Sequence, residues 1–255
     1  MLLAVSVGNS HIIIGVYALG SWLRRWRIQT VHAKTADEYL VILRTLFMDA
    51  EIDRGAVDAA ILSCVVPPLA GTLAETLKTL SGRDPLVLSP RLDLGLRVTT
   101  ENPAEVGADL IANAVAAFAQ FGRTCIVVDF GTALSFTAVG APGELRGVAI
   151  APGLTAALES LVRSTAQLPS VFLAPPPAAI GRNSVHSIQA GIVFGYVGLV
   201  GDIIRRMKAE LGGAAEVVVT GGQSGIMAPL LGAGIVHEPW LTLEGLRIIA
   251  ERNLP

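Results

Sequence analysis

Two aspartates and three glycine turns are the residues of this 255-residue chain whose types and spacing best suit chemistry. In Ile126-Val-Val-Asp129-Phe-Gly131-Thr132 an apolar β run reaches an acid, turns through Gly-Thr, and leaves as a second β run through Val139. Glycine in such a turn lets the backbone come close to a bound group, and here the turn also carries a carboxylate and a hydroxyl. The N-terminal residues repeat the pattern as Ser6-Val-Gly8-Asn9-Ser10, flanked by Leu3-Ala-Val and His11-Ile-Ile-Ile14. Laying Ser6 on Asp129 gives an offset of 129 minus 6, or 123 residues, near half the chain. That implies an internal duplication in which one copy lacks its acid. A third turn, Thr220-Gly221-Gly222, closes the strand-like run Glu216 to Val219. Backbone N–H groups in glycine turns cradle phosphates, and no Walker A string competes for that role.

The remaining acid, Asp109, lies in Asn102-Pro103-Ala-Glu105-Val-Gly107-Ala108-Asp109-Leu110. Asn102 as N-cap, Pro103 at the first helical position and Glu105 three residues on predict a helix from there to about Phe121. Its apolar stripe is Val106, Leu110, Ala114 and Phe118. Asp109 falls on the other side with Glu105, Asn113 and Gln120, which by itself marks a solvated acid.

The elements that must position these residues follow in order. A hairpin over residues 2 to 18 precedes a third strand, 21 to 29, in which Trp22, Arg24, Trp26 and Ile28 share a face. The Arg24, Arg25 and Arg27 cluster reads as a partly solvated strand, because the surrounding charge is mixed. Thr35-Ala-Asp-Glu38 is a capping box opening a helix. A buried strand at 59 to 65, stopped by Pro67-Pro68, is followed by a helix to about Leu80 and a short strand at 85 to 88. In the second half come a strand at 145 to 150, a helix from Gly153 to about Arg163, an extended surface stretch at 168 to 180, and a long helix from about 185 to 211 headed by Gly181-Arg-Asn183-Ser184. Gly191, Gly195 and Gly198 share one side of that helix, where each costs about 1 kcal/mol against Ala. Close approach of another helix, inside the fold or across a dimer seam, would offset that. Thr242 caps a C-terminal helix.

Composition narrows the class. With 52% hydrophobic residues, 16% charged residues and a net charge of −2, the chain has no footprint for nucleic acid or an anionic membrane. Cys64 and Cys125 lie far apart without metal-site or disulfide spacing, which fits a reducing cytoplasm. Met1 to Val7 has no basic leader before its Gly-Asn turn, so a signal peptide is not expected. The apolar segment 190 to 201 is too short to span a bilayer, and a soluble protein is expected.

Two facing hairpins around phosphates, with a third glycine turn behind the nucleoside, are the arrangement of the actin, Hsp70 and sugar-kinase superfold. The expected fold is therefore α/β, as two duplicated RNase H-like halves of this actin-like ATPase class, divided at 1–118 and 119–255. More closely, the chain resembles the type III pantothenate kinases, the bacterial enzymes of the first step of coenzyme A synthesis. The resemblance rests on Ser6 to Ser10, Thr35 to Glu38, Val65 to Pro68, Asn102-Pro103, Glu105 to Asp109, Val128 to Thr132, Ile150 to Gly153, Gly181 to Ser184, Gln189 to Gly191, Thr220 to Gly222 and Leu241 to Leu246.

The resemblance implies a cytoplasmic homodimer using ATP, Mg²⁺ and a monovalent cation, K⁺ or NH₄⁺, to phosphorylate pantothenate, with ATP held between the two domains and the long helix of the second half forming the dimer. It makes Asp109 the general base and Asp129 the monovalent-cation ligand. Ser6, Gly8, Asn9, Ser10, Gly131, Thr132, Gly221 and Gly222 become nucleotide contacts, and Thr100, Gly107, Ala108, Asp109, Leu110 and Ser184 the pantothenate site. Departures fall on the same site. The family pattern has aspartate at Ser6, asparagine at His11, tyrosine at Thr100 and arginine at Leu110, with threonine at Ser10 and Ser184. Ser6 removes a charge that would hold Mg²⁺ or its waters, and Leu110 a fork-shaped donor for carboxylate or phosphate. Two readings follow: an active pantothenate kinase with an altered metal shell, or a weakened kinase-like paralogue that acts as a regulatory module or as partner subunit of a complete enzyme. His11 reads as a turn-flanking residue.

Overall fold

The computed structural model describes residues 1–254. The chain divides into two compact units, one of residues 1–116 with 241–255 and the other of 117–240. The boundary falls inside a helix, close to the expected 118/119 division. The C-terminal helix, assigned from the sequence to the second half, belongs instead to the first unit.

In the first unit, β1 (Leu2–Val7), β2 (His11–Ala18) and β3 (Ser21–Gln29) form an antiparallel meander, and β4 (Ala59–Cys64) and β5 (Leu86–Val87) add in parallel beside β1. The sheet order is β3-β2-β1-β4-β5. β1 is central, and Leu3, Val5 and Val7 are buried with Ile12, Ile14 and Val16 of β2. Helices α1 (Ala36–Asp49) and α2 (Pro67–Ser81) cover one face through Tyr39, Leu43, Phe47, Leu69, Leu73 and Leu77. The capping box at α1 is formed: Glu38 N–H donates to Thr35 Oγ1 and the Glu38 carboxylate accepts from Thr35 N–H at 2.8 Å. α2 ends at Gly82, whose φ of 72° is the left-handed cap that glycine adopts without strain.

A bulge changes one expectation. The β2–β3 register slips between Val16 and Tyr17, and a one-residue slip sends a side chain to the opposite face. Trp26 therefore stacks on Phe47 of α1, while Trp22 lies over Gly15 and Leu243 and donates to Glu244 at 3.1 Å. Trp22 and Trp26 do not share a face. Glu244 and Leu243 belong to α7 (Leu241–Asn253), which packs on β1, β2 and β4. There the side chain of Thr242 donates to buried Asn113 at 2.8 Å.

The short strand β6 (Arg97–Val98) and a 3-10 turn at Pro103–Glu105 lead to α3 (Ala108–Phe121). The expected single helix from Asn102 is broken at Val106-Gly107. Asn102 makes no capping bond to the backbone; its amide instead donates to Glu105 Oε1 at 2.7 Å.

The second unit repeats the first. β7 (Cys125–Phe130), β8 (Ala133–Gly140) and β9 (Glu144–Pro152) are antiparallel, and β10 (Glu216–Thr220) and β11 (Ile235–His237) add in parallel beside β7. The same connectivity gives the five strands of this unit the order β9-β8-β7-β10-β11 within a six-stranded sheet. Shifting β1 by the 123 residues between Ser6 and Asp129 lands on β7 at both ends, so Ser6 and Asp129 occupy equivalent positions. Helices α4 (Leu154–Arg163) and α5 (Ser184–Glu210) cover the sheet, with Val193, Tyr196, Val200 and Ile204 of α5 in its core. α5 starts where expected, with the Asn183 side chain accepting from His186 N–H at 2.8 Å. By length and composition α5 is long and apolar enough to cross a bilayer, contrary to the reading of residues 190–201; its packing is that of a core helix with one exposed side. A methyl group on Gly191, Gly195 or Gly198 would meet nothing within 4 Å. Close approach inside the fold therefore does not explain these glycines.

Candidate active site

In the first unit the Gly8-Asn9-Ser10 turn joins β1 to β2 and is fixed by Gly8 N–H donating to His11 O at 3.0 Å. The end of β3 holds it from behind. Thr30 Oγ1 donates to Gly8 O at 2.7 Å, and Thr30 N–H to Ser10 O at 3.0 Å. Next along the chain, Val31 exchanges two hydrogen bonds with the hydroxyl of buried Tyr39. Nothing in the sequence marked Thr30, since a lone threonine at a strand end carries no signal. The turn opens on a basin of about 630 Å³ lined by Asn9, Ser10, His11, Arg27, Gln29 and Thr30, with no carboxylate among them. Burial, and then the nearby Arg27 charge, push the His11 imidazole below its ordinary pKa.

Ser6 sits at the inner end of β1, 5% exposed, in register with Ser63 of β4. Ser63 Oγ is buried without a hydrogen-bond partner. Where the duplicate strand carries a carboxylate, the first unit has two neighbouring hydroxyls. Thr100 Oγ1, on the segment before α3, is a second buried hydroxyl without a partner.

Asp109 stands in the first turn of α3, behind the Gly107 that starts the helix; Ile111 N–H donates to Gly107 O at 3.1 Å. Its Oδ1 accepts from Leu110 N–H at 2.9 Å. The expectation of a solvated acid does not hold: Asp109 is partly buried and Asn113, one turn on, is fully so. Burial raises the Asp109 pKa above its ordinary value, against the lowering effect of the Leu110 N–H bond. A carboxylate held there has the raised basicity that suits proton abstraction.

In the second unit Asp129, next to last in β7, is in register with Thr220, so the Gly221-Gly222 turn emerges beside it. Gly221 has a φ of 95°, and a methyl group there would overlap Asp129 Oδ1 and lie 2.6 Å from the Phe130 backbone. Gln223 N–H, beyond the turn, donates to Phe130 O at 3.1 Å. On the other side the Gly131-Thr132 turn receives a bond from Gly153 N–H, the N-cap of α4, at 3.2 Å, and a methyl group on Gly153 would lie 2.5 Å from Gly131 O. Gly153 was legible only as a helix-starting Pro-Gly; the structure makes it part of the cradle. Two glycine-bounded turns and the Gly153 N-terminus of α4 thus converge beside Asp129, a cradle only bare backbone could form. Ser184 opens α5 beside a separate basin of about 590 Å³ lined in part by Arg182, Asn183 and Ser187.

These groups fit nucleotide phosphates. They fit a divalent cation only as a site completed by those phosphates, since Mg²⁺ commonly takes one or two carboxylates plus phosphate oxygens. Among the described residues no three metal-ligating side chains cluster.

The sequence profile described as type III pantothenate kinase matches residues 2–206. The chain belongs to the type III pantothenate kinase family. The relative of that name from Moorella thermoacetica is 46% identical over 253 residues, covering 99% of this chain and 100% of its own. Solved structures share the fold at lower identity. A putative 2-dehydro-3-deoxygalactonokinase from Sinorhizobium meliloti has a TM-score of 0.63 at 14% identity, covering 100% of this chain and 97% of its own. MreB 5 of Spiroplasma citri bound to AMPPNP has a TM-score of 0.57 at 10% identity, covering 98% and 96%. The expected actin-like ATPase fold is the one found. Among the described residues, the buried hydroxyls without a hydrogen-bond partner are those of Thr100 and of Ser63, the register neighbour of Ser6.

Proposed function

We propose that the chain is an active type III pantothenate kinase, transferring the γ-phosphoryl group of ATP to the 4′-hydroxyl of pantothenate. The observation that carries this reading is the glycine-walled cradle around Asp129, on a chain 46% identical to a named kinase over nearly its whole length. The pantothenate oxygen forms the new P–O bond, the bond to the β,γ-bridging oxygen breaks, ADP leaves, and the hydroxyl proton passes to Asp109. The Gly8–Ser10, Gly131–Thr132 and Gly221–Gly222 turns hold the phosphates through backbone N–H groups. Phosphoryl transfer asks mainly for such positioning and charge neutralisation. Mg²⁺, when bound, neutralises phosphate charge, and Asp129 is the carboxylate that faces the cations, including a monovalent one. Gly107 to Leu110, Thr100 and Ser184 line the pantothenate site.

The kinase works in the cytoplasm as a homodimer. The open glycine side of α5 supports that seam, since nothing within the unit approaches it. Purified protein with ATP, Mg²⁺ and pantothenate should yield 4′-phosphopantothenate, and Asp109→Asn should not. Absence of product from the parent chain, with product gained in Ser6→Asp or Ser6→Asp with Leu110→Arg, would sink this reading.

A further inference from the structure

The Gly221 turn is held by a second layer that no phosphate-site motif includes. Ser224, the first residue of α6 (Ser224–Met227), is 1% exposed, and its Oγ lies 2.7 Å from Gly221 O and 2.9 Å from His237 Nε2. A serine hydroxyl has one proton to donate, and a carbonyl oxygen only accepts. With Ser224 donating to Gly221 O, the bond to His237 forms only if the imidazole donates from Nε2. The proton order is thus set as His237 Nε2–H to Ser224 Oγ–H to Gly221 O, two bonds that polarise in the same sense.

The backbone fixes both ends of this relay. His237 ends β11, paired with Val219 of β10, and Glu238 N–H donates to Val219 O at 2.9 Å. Gly221 follows β10 directly and lies against Asp129 and the Phe130 peptide, with no room for a methyl group. A tilt of the Gly221 peptide is therefore transmitted to the Asp129 carboxylate, next to last in β7.

We infer that Ser224 and His237 are positioning residues for the phosphate cradle: they hold the Gly221 carbonyl turned inward and so keep its turn seated against Asp129. The inference rests on the kinase reading for its role in catalysis, and on ATP binding alone for its test. Calorimetry with ATP·Mg²⁺ and, separately, pantothenate is run on the full chain and on Ser224→Ala, His237→Leu and His237→Gln. Each of the first two should weaken ATP binding roughly fivefold, the fold-change expected for one net hydrogen bond, with pantothenate binding unchanged. His237→Gln, whose amide can donate to Ser224, should restore most of the loss. Ring nitrogen NMR of the parent chain should show the His237 proton on Nε2.

Unchanged ATP affinity in both variants, equal weakening toward ATP and pantothenate, or a neutral His237 protonated on Nδ1 would each overturn the inference, as would a parent chain that binds no ATP. If Ser224→Ala does not fold, His237→Leu decides alone, since His237 is exposed on an edge strand. A parent chain that binds ATP yet forms no phosphopantothenate removes the kinase reading and leaves the positioning role to be judged on the variants.

Discussion

A methyl group on Gly107 would lie 2.6 Å from Oδ1 of Asp109. The glycine that starts α3 thus also makes room for the carboxylate in its first turn. Gly107→Ala should leave the fold intact, because the obstructed atom ends a side chain, while pushing the carboxylate off its position. We expect kcat to fall by roughly 10- to 100-fold, the range that a displacement near 1 Å produces. Asp109→Asn, which removes the base altogether, should lose about 10²- to 10⁴-fold. Steady-state kinetics with saturating ATP would separate the two; equal activity of Gly107→Ala and the parent would remove the positioning claim.

The raised pKa of Asp109 fixes two pH dependences of opposite benefit. As a base it must be ionised, so kcat should fall on acidification with an inflection above the ordinary aspartate value of 3.8. For stability, the folded chain takes up this proton more readily than the unfolded chain, so ionised Asp109 opposes folding. That cost is absent below the unfolded pKa, grows as pH rises through the window up to the folded pKa, and is complete above it. Asp109→Asn should therefore unfold at a higher temperature than the parent at pH 7, and the gain should vanish below about pH 4. Thermal melts across that range check it, and a lower melting point for the variant at pH 7 would contradict the burial argument.

Ser6 and Ser63 are register neighbours, each next to last in its strand, β1 and β4, and Ser63 Oγ has no partner. A carboxylate introduced by Ser6→Asp would gain Ser63 as a donor and supply the acid that the duplicate strand has in Asp129. The Mg²⁺ concentration for half-maximal rate should drop by about tenfold, since a carboxylate is a far better ligand for a hard cation than a hydroxyl. Pairing the change with Ser63→Ala should reduce the gain. An unchanged Mg²⁺ requirement in Ser6→Asp would mean that this strand end does not face the metal.

The duplication was legible because a strand, a glycine turn and a second strand leave a pattern that survives loss of the acid, so the 123-residue offset marks β1 and β7 to the residue. The start of α3 was not legible. Asn102, Pro103 and Glu105 serve a single 3-10 turn as well as a helix N-terminus, and only tertiary packing decides between them. The burial of Asp109 and Asn113 was hidden for a related reason. Their side of α3 looks solvated by period alone, and Asn113 is covered by Thr242 from 129 residues away. The facing of Trp22 depended on a bulge, which composition does not announce. Long-range partners such as these are set by where α7 docks, and no local signal in residues 241–253 names β1, β2 and β4 as its sheet.

That docking supplies the last prediction. A methyl group on Gly245 of α7 would overlap the carbonyl oxygen of Ala112 and lie 2.9 Å from its Cα. Both clashing groups are backbone of packed helices, so neither yields by rotating a side chain. Gly245 is buried, and Leu243, Leu246 and Ile249 around it are fully buried too. Overpacking a core in this way costs about 1 to 3 kcal/mol, and at the upper end a domain of this size loses roughly 6 to 12 °C of melting temperature. Gly245→Ala should show that drop even though alanine is the better helix former by about 1 kcal/mol. Because α3 carries Asp109, the displacement should reach the site as well, lowering kcat at temperatures where the chain is still folded. A neutral or stabilising Gly245→Ala would mean that α7 and α3 do not pack at this distance, and would remove the C-terminal helix from the elements that position the base.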